Sequence, residues 1–323
     1  MSVNCWLCRK ESFQKNVQLR SKKEAIINYC IECHFEFFEY DNFNLLSSDQ
    51  LDKTRLESAG LDIPKQEKDF QNGYTQSLNY INEYFYQQDI GQNILEIGCS
   101  WGYFLKRAQE FGCVPSGVEI NPVRSEYVKN ILHLPCENSV EKYIENNKKF
   151  KKIFSFYCLE YVRNPIGFFE QLIQLLDVDG EIIFITPNLD DVLKDIWHNK
   201  AYKDFFYDEC AVAYYSLKSA LKLSSSLTKT HSNLDCDIKT QQGYSIYNHL
   251  YWFFNQKPVN NNCLVGGDQL AQTLDANLRN SENCLGESLG ELINSFNNEY
   301  KKIIEKHHLG NQIVIRIRKR HYL

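Results

Sequence analysis

Long apolar runs are missing from this sequence. No stretch of its 323 residues reaches the roughly 20 apolar residues that a membrane-spanning helix needs. The opening MSVNCWLCRK has no apolar core of the signal-peptide kind. Blocks of positive charge are missing too. Lys and Arg number 36 against 41 Asp and Glu, a formal net charge of -5. The closing RIRKRHY, where basic residues run together beside an aromatic, reads as the solvent end of a strand. Phosphate backbones call for a basic face, so nucleic acid is not expected as a partner. Internal repeats are absent as well. These absences leave a soluble, cytoplasmic protein as the expectation, of one large domain or one domain with a small module.

Cysteine, by contrast, is plentiful, at 12 residues. Four of them form two pairs at ligand spacing, Cys5-x-x-Cys8 and Cys30-x-x-Cys33. Cytosolic thiols stay reduced, so such pairs point to a metal before a disulfide. Four thiolates fill a tetrahedral zinc shell and leave no open position, so the ion would be structural. The competing reading is chance clustering. His34 is read as a neighbour of the site, and the other eight cysteines as inert.

Along the chain, residues 1–45 form the expected zinc-binding module, and 46–90 a connector with a leading helix over 71–86. From residue 91 strands and helices alternate. NILEIG, VPSGVEI, KKIFSFYCLE and EIIFITPN read as strands, with GYFLKRAQEFG, RSEYVKNIL and NPIGFFEQLIQLLDVDG as helices. Such alternation gives a parallel sheet with helices on both faces and ligands at the carboxyl ends of its strands. ECAVAYYSLKSALKL and residues 268–308 read as helical, and CDIKTQQGYSIYN as holding a strand. NQIVIRIRKR, alternating apolar and basic, reads as an edge strand closing the sheet at 311–319, after a helical insertion at about 247–308.

The loop NILEIGCSWGYF narrows the chemistry. A P-loop would end in Gly-Lys-Ser/Thr, whereas Gly102 is followed by Tyr103 and Phe104. A dinucleotide fingerprint needs glycine at the first, third and sixth positions, which here hold Gly98, Ser100 and Tyr103. What remains is Glu96, Gly98 and Gly102, with Glu119 ending the next strand. A helix starting at Gly102 offers free N–H groups to an anion, and an ionised Glu119 can accept two hydroxyl hydrogen bonds.

This spacing resembles the class I S-adenosylmethionine-dependent methyltransferases, and FSFYCLEYVRNP and LLDVDGEIIFITPN resemble that family's later strand segments. YSIYNHLYWFF resembles a segment of polysaccharide-cluster members. The resemblance implies a Rossmann-like methyltransferase sheet. It implies S-adenosylmethionine held by Glu96, Gly98, Cys99, Ser100, Gly102, Glu119, Ile120, Asn138 and Tyr157. For Asn138 and Ser139 a helix N-cap is an equal reading. A zinc module ahead of such a domain resembles two groups. One is the sugar methyltransferases of polysaccharide and antibiotic pathways; the other is certain ribosomal RNA methyltransferases. The acidic charge favours the first, with a sugar or nucleotide sugar as acceptor. A catalytically inactive scaffold of the same fold is the non-enzyme alternative.

Methyl transfer from a sulfonium needs alignment above all, which supplies about 7–11 kcal/mol. A sugar hydroxyl also needs a base. Candidate catalytic residues are His249, Glu160 and Tyr161, followed by His198 and His231; for His249 the alternative is a hydrogen-bonded core histidine. Relatives often carry a histidine where this chain has Ala211, which leaves room for an amine acceptor. Asp190 and Asp191 are read as a helix N-cap or a magnesium site. Tyr214, Tyr215, Tyr244, Tyr247, Tyr251 and Trp252 are candidates to stack on a sugar ring.

Overall fold

The protein was analysed as a computed structural model, in which residues 3–39, 74, 77–208, 210–257 and 284–320 are described. Its first three strands are β1 (Phe13–Gln18), β2 (Glu24–Cys30) and β3 (Phe35–Phe37), followed by helix α1 (77–84). The alternating core then runs β4 (Asn93–Ile97), α2 (Tyr103–Phe111), β5 (Val114–Val118), α3 (Pro122–Asn130), β6 (Cys136–Glu137), α4 (Glu141–Glu145), β7 (Phe150–Phe156), α5 (Pro165–Leu175) and β8 (Leu176–Pro187). It continues through α6 (Val192–Asp195), α7 (Lys200–Phe206), β9 (Ala213–Tyr215), α8 (Leu217–Thr230), β10 (Leu234–Gln241), α9 (Ile246–Asn255), α10 (Cys284–Lys306) and β11 (Gln312–Lys319).

Seven strands form the main sheet in the order β10-β11-β8-β7-β4-β5-β6. Strands β4 to β8 are parallel, and β11 runs antiparallel to both β8 and β10. This is the expected α/β, Rossmann-like sheet with helices packed on it. The order reverses beside β4, whose neighbours β5 and β7 lead to opposite halves of the sheet, so the ligand crevice opens at its carboxyl end. The central strands are apolar because both faces are covered: Ile94, Leu95, Ile153, Phe154, Ile182, Ile183 and Phe184 are all fully buried. Helix starts follow local chemistry. Asn121 caps α3 ahead of Pro122, Asn164 caps α5 ahead of Pro165, and Ser216 caps α8 through a reciprocal bond with Ser219.

Three readings of the sequence are corrected. The helix drawn through NPIGFFEQLIQLLDVDG stops at Leu175, because Leu176 turns extended and pairs with Phe150 to open β8. ECAVAYYSLKSALKL is not one helix: Ala213–Tyr215 is a buried strand, and the helix begins only after the Ser216 cap. β11 is not an edge strand but lies between β10 and β8. Its Arg316 and Arg318 both reach Glu181, with Nε to Oε1 distances of 2.9 and 2.8 Å. Of the helical stretch expected at 268–308, residues 268–283 lie outside the described residues, and α10 covers most of the rest.

The second sheet joins the first three strands to a segment beyond β8. Its order is β1-β2-β3-β9, all antiparallel, so a strand from beyond β8 completes the sheet that carries the cysteine pairs.

Candidate functional site

The crevice at the carboxyl ends of β4 and β5 is built from backbone first. Gly98, Ser100 and Gly102 take φ of 72°, 50° and 77°, three left-handed residues in five. Glycine adopts this region freely; Ser100 does so at a cost of about 1–2 kcal/mol. The turn closes through a hydrogen bond from Gly102 N to Cys99 O of 2.8 Å. A Cβ on Gly98 would stand 3.2 Å from Cys158 Sγ, and one on Gly102 only 2.8 Å from Leu132 Cδ1. Glycine at both positions therefore lets the loop lie tight against its neighbours. Helix α2 starts at this turn with Gly102 as its N-cap and no side chain capping it. Its first-turn N–H groups thus lack a side-chain acceptor.

Glu119 closes the other wall. It is 5% exposed, and its carboxylate is held by two backbone donors: Ser100 N–H to Oε2 and Asn121 N–H to Oε1, each 2.8 Å. Each oxygen keeps a second acceptor position. Glu96 is also 5% exposed, and its Oε2 has no hydrogen-bond partner among the described residues. Burial, reinforced by the nearby Glu119, pushes its carboxyl well above the ordinary range. Ile120, next to Glu119, projects an apolar side chain that is 67% exposed. Asn138 is exposed after β6, and it caps no helix: the N-cap of α4 is Val140. Tyr157 follows β7 at φ 55° and donates its hydroxyl to Gln312 Oε1. Cys99 is buried, 3.8 Å from Cys136 Sγ. Glu96, Gly98, Ser100, Gly102 and Glu119 thus come together at one crevice.

The residues expected to act on an acceptor are spread more widely. His249 is fully buried. Gln242 uses its Oε1 to accept from Asn311 N–H and its Nε2 to donate to Tyr244 O, which fixes the amide's orientation. That Nε2 then donates to His249 Nε2 over 3.2 Å, and His249 Nδ1 gives its proton to Tyr300 Oη. Burial lowers this imidazole's pKa to about 3. With its lone pair occupied and no open face, His249 is a core histidine that ties α9 to α10, not a base at the crevice. His198 is exposed on a loop and His231 caps α8, neither gathered with Glu160 or Tyr161. Asp191 is the N-cap of α6, with Oδ1 accepting from Leu193 N–H and Oδ2 from Tyr202 Oη. Asp190 instead meets His34 Nε2 at 3.4 Å, so the two carboxylates serve different partners. Tyr215 is fully buried against Phe35 and offers no stacking face, and Tyr214 is buried with its ring edge-on to Tyr207.

Glu160 and Tyr161 do reach open space. They line a cavity of about 30 Å³ with Arg20, Asp208, Ala211 and Tyr214. Glu160 is 4% exposed and accepts a 3.0 Å hydrogen bond from Thr186 Oγ1, and burial raises its carboxyl to about 8. A wider crevice of about 450 Å³ lies between the cysteine-bearing sheet and the loop after β8. Its charges pair among themselves: Lys15 with Glu36, His34 with Asp190, and Lys194 with Asp195.

The sulfurs of Cys5, Cys8, Cys30 and Cys33 lie within 4.8 Å of one another, and Cys8 Sγ is 3.6 Å from Cys30 Sγ. A tetrahedral ion with bonds of about 2.3 Å sets its sulfurs about 3.8 Å apart, so the donor set fits zinc. Three of the four are buried, and burial pushes the Cys5 thiol up to about 12. A bound cation would reverse that preference and hold the thiolates.

Thr186, Asp208, Arg20 and Asn121 belong to these sites and were not singled out from sequence. Only Asn121 left a local sign, the Asn-Pro pair that opens a helix. The others meet their partners across 26 to 188 residues.

A family model described as a methyltransferase domain matches residues 68–232. No curated protein matches the sequence. Among solved structures, the plantazolicin methyltransferase BpumL in complex with SAH is similar at 15% identity and a TM-score of 0.46, covering 84% of this chain and 91% of that one. A SAM-dependent methyltransferase from Archaeoglobus fulgidus is similar at 15% identity and a TM-score of 0.48, covering 80% of this chain and 100% of that one.

Proposed function

Because the chain belongs to the methyltransferase-domain family, matched over just over half its length, and is an S-adenosylmethionine-dependent methyltransferase, we propose that its acceptor is a small molecule, a sugar or nucleotide sugar of the kind used in surface polysaccharide assembly. The observation that carries the donor site is the Glu119 carboxylate, clamped by the N–H groups of Ser100 and Asn121 with one acceptor position left on each oxygen.

S-adenosylmethionine supplies a methyl group already activated on a sulfonium, so the protein's work is binding and alignment. Glu119 accepts the two ribose hydroxyls. Ile120, with its exposed apolar side chain, and Asn138 would serve the adenine. Glu96 Oε2, without a partner of its own, takes the methionine ammonium, and the uncapped first turn of α2 takes the carboxylate. Gly98, Cys99, Ser100 and Gly102 keep the backbone close. Tyr157, its proton committed to Gln312, offers only oxygen lone pairs on the acceptor side. The four cysteines hold a structural zinc that braces the small sheet.

The test is calorimetric titration of the full chain with S-adenosylhomocysteine, followed by mass spectrometry of nucleotide sugars after incubation with S-adenosylmethionine. Uptake of the adenosyl compound and a gain of one methyl on a nucleotide sugar are expected. An intact fold that takes up neither adenosyl compound contradicts the donor site. Methyl gain confined to RNA contradicts the acceptor class.

A further inference from the structure

The cavity beside Glu160 says more about the acceptor. It lies where β7 and β8 end, on the side where this sheet type places its ligands: Glu160 sits in the turn Leu159–Tyr161 after β7, and Thr186 and Pro187 close β8. Its volume of about 30 Å³ admits a group no larger than one or two waters, so only the reacting head of an acceptor fits. Ala211 and Ala213 leave that space open.

Glu160 and Asp208 both line this space, and their carboxyl groups differ in their partners. Asp208 has its cation, Arg20 Nη1, at 2.8 Å. Glu160 has only the Thr186 hydroxyl and its own backbone, and no cation pairs with it among the described residues. A carboxylate this deeply buried is costly without a positive partner, so the empty site keeps a proton on it. A ligand that brings its own positive charge removes that cost; a neutral hydroxyl does not.

Resting on the methyltransferase reading above, we propose that Glu160 binds the acceptor directly, and that the acceptor presents a primary or secondary amine, which enters the cavity as its ammonium and gives its proton to the Glu160 carboxylate. The amine nitrogen then forms a bond to the methyl carbon as the carbon–sulfur bond breaks, with that bond's electron pair left on sulfur as a neutral thioether. The product is the N-methylammonium ion; the one proton of the turnover is the one that Glu160 gives to solvent when the ammonium enters, and Glu160 keeps the proton taken from the amine, which restores the protonated form of the empty site. Proton affinities decide against a hydroxyl. A carboxylate at about 8 sits some two to three units below an alkylammonium of about 10.4, but about eight below a water-like hydroxyl of about 15.7. Deprotonating the hydroxyl is the harder step by several kcal/mol. An amino sugar satisfies both this chemistry and the sugar reading.

The experiment is calorimetry on the full chain loaded with S-adenosylhomocysteine, at neutral pH in two buffers of different ionisation enthalpy. Methylamine and D-glucosamine are compared with methanol and D-glucose. The amines are expected to bind and to release about one proton each, while the hydroxyl compounds do not bind. Glu160→Gln is expected to weaken amine binding by roughly tenfold or more and to abolish proton release. Ala211→Val narrows the cavity without touching the carboxyl and is expected to weaken amine binding as well, which covers a Glu160→Gln protein that does not fold. Failure of both amines to bind overturns the proposal, as does equal binding of methanol or D-glucose, or unchanged amine binding in both variants. Uptake of S-adenosylhomocysteine in the loading step reads the donor site separately: uptake without amine binding sinks this inference alone, and no uptake sinks the reading beneath it.

Discussion

Phe35 of β3 stands in antiparallel register with Tyr215 of β9, and their rings lie 5.0 Å apart. The strand between Cys33 and the rest of the chain is thereby hydrogen-bonded to the segment that carries Ala211 and Tyr214. Ser216 adds a hydroxyl donated to His34 O at 2.6 Å, and Val212 N–H reaches Glu160 O at 2.8 Å. The cysteine-bearing sheet is therefore hydrogen-bonded to the segment that lines the proposed acceptor cavity.

Removing a metal held by the four cysteines, as proposed, should loosen that segment selectively. With a strong chelator, or in Cys30→Ser, amide exchange is expected to quicken at Phe35–Phe37 and Ala213–Tyr215. Affinity for S-adenosylhomocysteine should stay within about threefold, because among the described residues the hydrogen bonds of Gly98, Ser100, Gly102 and Glu119 go to the main sheet and its loops, not to the small sheet. Hydrogen exchange by mass spectrometry, with metal content measured on the same sample, reads both. Unchanged exchange in zinc-depleted protein would show the ion to be dispensable for that segment.

His249→Phe should reduce stability and leave donor affinity alone. The substitution strips a partner from Gln242 and Tyr300, at about 1–3 kcal/mol for each buried group left short. The pH dependence carries a second sign. The folded imidazole stays neutral down to about 3, whereas the unfolded one gains a proton below 6.5. Its contribution is thus present above pH 6.5 and is lost as the pH falls from there toward 3. Denaturant melts of both proteins at several pH values should show a shallower acid limb in the variant.

Glu160 predicts the opposite slope. Its folded carboxyl holds a proton up to about 8, while the unfolded one ionises above 4.5. The folded state binds the extra proton between those values, so this group's contribution is fully present below 4.5 and is lost as the pH rises toward 8. The slope is at most about 1.4 kcal/mol per unit. In Glu160→Gln, whose amide oxygen can still accept from Thr186, stability should fall less steeply between pH 5 and 8 than in the parent. Identical slopes would mean that Glu160 is ionised in the folded protein.

The glycine turn after β4 was legible in the sequence because its signal is local. Gly98 and Gly102 mark two left-handed positions, Glu96 is the one charge within the apolar β4, and Glu119 directly follows β5. The cysteine pairs were legible for the same reason. β9 was not: Ala213–Tyr215 sits in a stretch of helical character, and it becomes a strand because β3 offers it an edge. β11 looked like an edge because Arg316 and Arg318 alternate with isoleucines, but Glu181, more than 130 residues earlier, takes both guanidinium groups. His249 was open to two readings because Tyr300, which closes its ring off, lies 51 residues away.

Substitutions in the loop should separate its two kinds of left-handed residue. Gly102→Ala forces φ 77° on a Cβ that would meet Leu132 and Val128 at 2.8 and 3.0 Å. It should cost about 1–2 kcal/mol or more and weaken donor binding. Ser100→Gly relieves φ 50° and should be neutral or stabilising, whereas Ser100→Val should be clearly worse than either serine or glycine. Thermal melts with and without S-adenosylhomocysteine rank the three.

The most direct measurement is the affinity of Glu119→Ala for S-adenosylhomocysteine, beside circular dichroism to show an intact fold. Losing an ionised acceptor for two hydroxyls, together with the anchor for Ser100 N–H, predicts a fall of about thirtyfold or more. An affinity equal to the parent's, in a folded variant, would contradict the donor site described here.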